Sequence, residues 1–104
     1  VASRNACIAG IVKYWPEKYW TNAIHIMMLE SGGNPNAHLY SDITHDDSWS
    51  CFQVNRYGKL AYSRPSAKLL LNPDYNAKYA YQIFQNSGYR AWYNSSIKLH
   101  LINQ

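Results

Sequence analysis

Ala23-Ile24-His25-Ile26-Met27-Met28-Leu29-Glu30-Ser31-Gly32-Gly33-Asn34-Pro35-Asn36-Ala37 passes from an apolar helical run to a double-glycine stop and then to Asn-Pro. Trp20, Ala23, Ile24, Met27 and Met28 recur at the spacing of one helix face. Ile26 and Leu29 make the run apolar on nearly every side, the pattern of a central helix in a small domain. Ser31-Gly32-Gly33 ends it, and Asn34-Pro35 keeps it from restarting. The run finishes on Glu30, and the only other glutamate is Glu17. A carboxyl group at the last turn of a buried helix is desolvated by its apolar neighbours and lies at the negative end of the helix dipole. Both effects disfavour the charged form and raise the pKa, as a carboxylic acid requires if it is to donate a proton near neutral pH. By position alone, Glu30 could equally be a helix-end glutamate that points to water.

Upstream of that run, residues 6–13 read as a short helix, and Pro16 suits the first turn of the next one. Downstream, residues 38–50 are polar and irregular and read as a surface loop or small hairpin. Cys51-Phe52-Gln53-Val54-Asn55 is a short alternating segment, strand-like or the start of a turn. Ser63-Arg64-Pro65 resembles a helix start, with Ala67, Leu69, Leu70 and Leu71 behind it. Asn72 is the expected N-cap of a longer helix, with Tyr75, Tyr79, Ala80, Ile83 and Phe84 on one face and Gly88 closing it. Tyr89, Trp92 and Tyr93 form an aromatic cluster, and the tail carries no clear period. The fold class is mainly α, with a small irregular β element.

The 104 residues suit one domain, 1–104, with a modest core. Aromatic and aliphatic residues are spread along the chain, which argues against a disordered segment. No apolar run approaches the ~20 residues that span a bilayer, so membrane insertion is not expected. The chain begins with Val, as a processed protein or an excised domain would. A net charge of +4 favours polyanions of several kinds. Its lysines and arginines are scattered rather than clustered, which argues against nucleic acid as a partner. Cys7 and Cys51 are the only cysteines: an even pair points to one disulfide and an extracytoplasmic setting, with two buried free thiols as the alternative.

Four separated pieces line up in order: Glu30-Ser31-Gly32-Gly33-Asn34-Pro35-Asn36-Ala37, Ser48-Trp49-Ser50-Cys51-Phe52-Gln53-Val54-Asn55, Leu70-Leu71-Asn72-Pro73-Asp74-Tyr75-Asn76 and Gly88-Tyr89-Arg90-Ala91-Trp92. Together they resemble the soluble lytic transglycosylase (SLT) domain of the lysozyme-like superfamily, which also includes goose-type lysozyme. The resemblance runs from about Trp20 to Trp92. It implies a lysozyme-like α+β fold and places Glu30 on the family's catalytic acid. It sets Ser48 at the start of the cleft-facing segment, Gln53 and Asn55 on that segment's polar positions, and Asn76 on the Asn after the Pro motif. There are departures. The family's Gly-Leu is Ser50-Cys51, and the late Ala-Tyr-Asn-x-Gly motif survives only as Tyr93-Asn94 out of context.

The resemblance implies peptidoglycan as substrate, and the β-1,4 bond between N-acetylmuramic acid and N-acetylglucosamine as the one cleaved. A lytic transglycosylase uses one glutamate as acid and then base, giving a 1,6-anhydro product. A hydrolase of the lysozyme kind uses a further carboxylate or a water held by one, and Asp42, Asp46 and Asp47 are the candidates. Trp49, Tyr57, Trp92 and Tyr93 are candidate sugar-stacking residues, beside core aromatics such as Trp20, Tyr79 and Phe84. No cofactor is expected. His38, Asp42, His45, Asp46 and Asp47 lie close together but match no metal-binding motif, so no metal is assigned. A glycan-binding module without catalysis, chitin as substrate and a nucleic-acid-binding domain are weaker readings. The expected setting is secreted, periplasmic or virion-associated, as a monomer or as part of a larger wall-degrading protein.

Overall fold

Gly10 lets two helices approach closely. The computed structural model describes residues 2–103. In it α1 (Ala2–Tyr14) lies on α4 (Pro73–Ser87). A Cβ on Gly10 would come within 2.8 Å of the Ala77 Cβ and 3.0 Å of the Pro73 carbonyl oxygen. The two backbones therefore meet where neither carries a large side chain. This is why Asn76, Ala77 and Ala80 are the buried residues of α4, while Tyr79, Ile83 and Phe84 on the expected face are half-buried.

Pro16 does not open the second helix directly. It precedes a single 3-10 turn, Glu17–Tyr19, and α2 (Trp20–Ser31) follows. Gly32 closes α2 in the left-handed conformation, φ 65°, with its N–H donating to the Met28 carbonyl. Only Ala23, Ile26 and Met27 of α2 are buried, and Leu29 and His25 face solvent. The helix is thus amphipathic rather than central, because it packs against α1 on one side and the C-terminal segment on another.

The irregular β element is a three-stranded antiparallel sheet: β1 (His38–Ser41), β2 (Asp46–Trp49) and β3 (Val54–Asn55). Residues 51–53 form the turn into β3, so the strand is shorter than the alternation of 51–55 suggests. Ser50 and Gln53 both have positive φ, 68° and 49°, and bracket that turn. Ser50 stands where the resembled family has glycine, and it adopts the backbone conformation glycine takes most easily.

Ser66 caps α3 (Ala67–Leu70), one residue beyond the Pro65 expected to open it. Asn72 caps α4 by accepting from the Tyr75 N–H, as its position predicts, and Gly88 ends it at φ 62°. A 3-10 turn, Gly88–Trp92, leads into α5 (Tyr93–Lys98), a helix with no clear signal in the sequence. The core is aromatic at its centre. Trp15 stacks on Phe52 at 5.3 Å, and its indole N–H donates to the Ala77 carbonyl. Trp92 donates to the Phe52 carbonyl at 2.9 Å. A disulfide joins Cys7 of α1 to Cys51, pinning the turn before β3 to the helical layer.

Candidate active site

Strand alternation decides which acidic side chain meets Glu30. Along β2, Asp46 and Ser48 point to one face of the sheet and Asp47 and Trp49 to the other. Ser48 pairs with Asn55 of β3, so those two share the first face. That face borders a groove of about 190 Å³ lined by Glu30, Asp46, Ser48, Gln53, Trp92 and Tyr93, with Asn55, Ala91 and Asn94 completing it. On the opposite face, Trp49 pairs with His38 of β1, the two rings stack at 3.6 Å, and His38 contacts the Asp47 carboxylate at 2.6 Å.

Glu30 is half-buried, one residue before the end of α2. Ser95 of α5 donates its hydroxyl to Glu30 Oε2 at 2.6 Å, and Ser95 itself is only 5% exposed. Burial raises the Glu30 pKa above the ordinary carboxylate value. The Ser95 hydrogen bond opposes this, the nearby Asp46 charge adds to it, and Lys98 opposes it more weakly. Desolvation outweighs the rest, so the carboxyl holds its proton to a higher pH than an exposed glutamate. Asp46 accepts from Thr44 Oγ1 at 2.6 Å on one oxygen and from Ser48 Oγ at 3.3 Å on the other.

Of the three candidate second carboxylates, only Asp46 lines the groove. Asp42 lies in the hairpin turn, where Tyr57 and Tyr40 both donate to it, and those bonds hold its pKa below the usual range. Asp47 is committed to His38 on the far face. Three of the proposed substrate contacts also lie elsewhere. Asn76 is fully buried. Its oxygen accepts from the Phe52 N–H, and its amide donates to the Trp49 and Leu70 carbonyls, so it holds the β2–β3 turn against α4. Trp49 is covered by His38. Tyr57 spends its hydroxyl on Asp42 and stacks on His45 at 5.2 Å.

Ser48, Gln53, Asn55, Trp92 and Tyr93 do line the groove, but with different freedom. The Asn55 oxygen accepts from the Asp47 and Tyr57 N–H groups, and its amide donates to the His45 carbonyl, so its side chain chiefly shapes the wall. The Gln53 amide donates to the Ala37 and Ser50 carbonyls. Trp92 has its indole N–H turned into the core and its ring packed on Trp15 and Phe52, and at 5% exposure it contributes little open surface to the groove. Tyr93, 42% exposed, is the most open aromatic there.

Ser95 is the residue that sequence reasoning missed. Its separation from Glu30 is 65 positions, and no local pattern announces it. Serine donates to the charged carboxylate and thereby lowers the Glu30 pKa. Ser95→Ala is therefore expected to move that pKa upward. A carboxyl-carbon NMR titration of Glu30 would read the shift, and an unchanged or lower midpoint would refute the assignment.

The family model of a lysozyme-like domain matches residues 10–94 of this chain. No curated protein and no solved structure matches it significantly. Among the described residues, no helix is long and apolar enough to cross a membrane.

Proposed function

The chain belongs to the lysozyme-like domain family, and from that premise we propose that it cleaves the β-1,4 bond between N-acetylmuramic acid and N-acetylglucosamine in peptidoglycan, as a lytic transglycosylase. Glycosidase or transglycosylase chemistry is what the family supports in general. The observation that carries the specific reading is Glu30: a half-buried carboxyl with raised pKa, held by Ser95, in the wall of the groove.

In this reading protonated Glu30 gives its proton to the glycosidic oxygen as the bond from the muramyl C1 breaks. The departing sugar leaves with a neutral hydroxyl, and positive charge develops at C1. The Glu30 carboxylate then takes the proton of the muramyl 6-hydroxyl while that oxygen bonds to C1. The products are a 1,6-anhydromuramyl end and a free sugar hydroxyl. Glu30 is protonated again, and no water is consumed. Tyr93 offers a ring face for a sugar, with the buried Trp92 behind it. The setting proposed is extracytoplasmic, where a Cys7–Cys51 disulfide persists.

Asp46 favours a second reading. It is the one candidate carboxylate beside Glu30 in the groove, and it could hold a water for hydrolysis. Mass spectrometry of the muropeptides released from purified peptidoglycan separates the two. Anhydromuramyl ends are expected. Reducing ends carrying one added water would replace the transglycosylase reading with a lysozyme-type one using Asp46. No release of products would remove the catalytic reading altogether, leaving a glycan-binding module.

A further inference from the structure

Between Asp47 and Asp74 the chain has no carboxylate, and its cations there are Arg56, Lys59, Arg64 and Lys68. Residues 57–69 run beyond β3 as a strap, built from a 3-10 turn, Gly58–Tyr62, and most of α3. The strap is fastened from within. Arg56 Nε donates to the Pro65 carbonyl at 2.8 Å, Arg64 Nη1 donates to the Asn55 carbonyl at 2.7 Å, and Leu70 at the end of α3 is fully buried. The two lysines have no such duty. Both are exposed, and among the described residues neither has a carboxylate within ion-pair distance.

Large apolar side chains are exposed on the same strap. Tyr62 is 89% exposed, and Leu60 and Leu69, which directly follow the two lysines, are open to solvent. A single exposed leucine is ordinary. Three large apolar groups interleaved with unpaired lysines, on a stretch without an acid, are the pattern of an interfacial element. A soluble polyanion would engage the lysines and leave Leu60, Tyr62 and Leu69 in water. An anionic bilayer takes both: lysine heads meet lipid phosphates, while their stems, the leucines and the tyrosine ring enter the headgroup layer. Asp42 meets the strap at Tyr57, and its charge is engaged by the Tyr40 and Tyr57 hydroxyls.

We propose that residues 57–69 dock the protein on the surface of an anionic lipid bilayer, through Lys59, Leu60, Tyr62, Lys68 and Leu69. Nothing in this inference depends on the chemistry of the groove. Arg64 of the strap borders the space beside Gln53 and Asn55 of the groove wall, so docking would hold the groove alongside the membrane.

The test is co-sedimentation with vesicles of phosphatidylcholine alone and of phosphatidylcholine and phosphatidylglycerol in equal parts. Binding to the anionic vesicles is expected, weakening as salt is raised. Each of Lys59→Gln and Lys68→Gln should weaken it about fivefold, the worth of one cation near an anionic surface. Tyr62→Ser with Leu69→Ser should weaken it severalfold at unchanged charge. Lys18→Gln, a cation outside the strap, should leave it unaltered. These side chains are exposed, so the variants should melt like wild type. No binding to anionic vesicles would overturn the proposal, and so would an equal loss from Lys18→Gln, the mark of diffuse charge attraction. Unaltered binding in the Tyr62→Ser, Leu69→Ser protein would overturn it in favour of a soluble polyanion.

Discussion

Glu30→Gln is expected to reduce strand cleavage on the order of a thousandfold, the usual worth of a positioned acid that must also act as base. The amide keeps the size of the carboxyl and can still accept from Ser95. It has no proton to give the leaving oxygen and cannot take one back. The variant should nonetheless melt higher than wild type once the pH lies above the raised Glu30 pKa. A carboxyl whose folded pKa is raised contributes stability that is fully present below its unfolded value and is lost as pH rises through the raised one. Above the raised pKa the wild-type protein has lost that contribution, whereas the amide never ionises. The gap should close well below the ordinary carboxylate range. Thermal melts of both proteins across pH, beside muropeptide release, check the two halves. A variant that loses activity and melts lower would mean that Glu30 supports the fold. One that keeps activity would end its role as the acid.

Reduction of the Cys7–Cys51 bond is the second large effect. The cysteines are 44 positions apart, and the loop they close contains α2, Glu30 and the β1–β2 hairpin. Closing a loop of that length removes conformational freedom from the unfolded chain worth about 4 kcal/mol in the chain-entropy account. For a chain of this size the loss corresponds to a fall of roughly 20 °C in Tm. Wild-type protein with and without reductant is the sharper comparison, because it deletes no atoms from two fully buried side chains. Urea titrations should show a lower midpoint in reductant. Coincident curves would show that the cross-link constrains nothing the fold does not already hold.

Local signals are legible in the sequence because they act over a few residues. Gly32 must close α2, since the chain needs a left-handed residue there. Asn72 and Gly88 cap α4 for reasons of the same kind. The α5 helix was invisible for the opposite reason. Tyr93-Asn94-Ser95-Ser96-Ile97-Lys98 has no capping residue and little apolar periodicity, and it is helical through packing on α2 and the preceding turn.

The site divides along the same line. The sequence by itself determined that a carboxyl ends a helix abutting a polar segment, and that two cysteines were available to tie that segment down. It could not determine which way short side chains turn. Asp42, Asp46 and Asp47 lie within six residues, yet a two-residue strand period and a hairpin turn send them to three different places. Asn76 sits in a matching motif, but buried N–H and C=O groups at the β2–β3 turn needed partners, and its amide was drawn inward to meet them. Ser95 reaches Glu30 only because α5 packs on α2. Caps, turns and periods act through neighbours in the chain and can be read from it. The partners of Glu30 lie far along the chain, and only the packing of helix and sheet decides which of them face the groove.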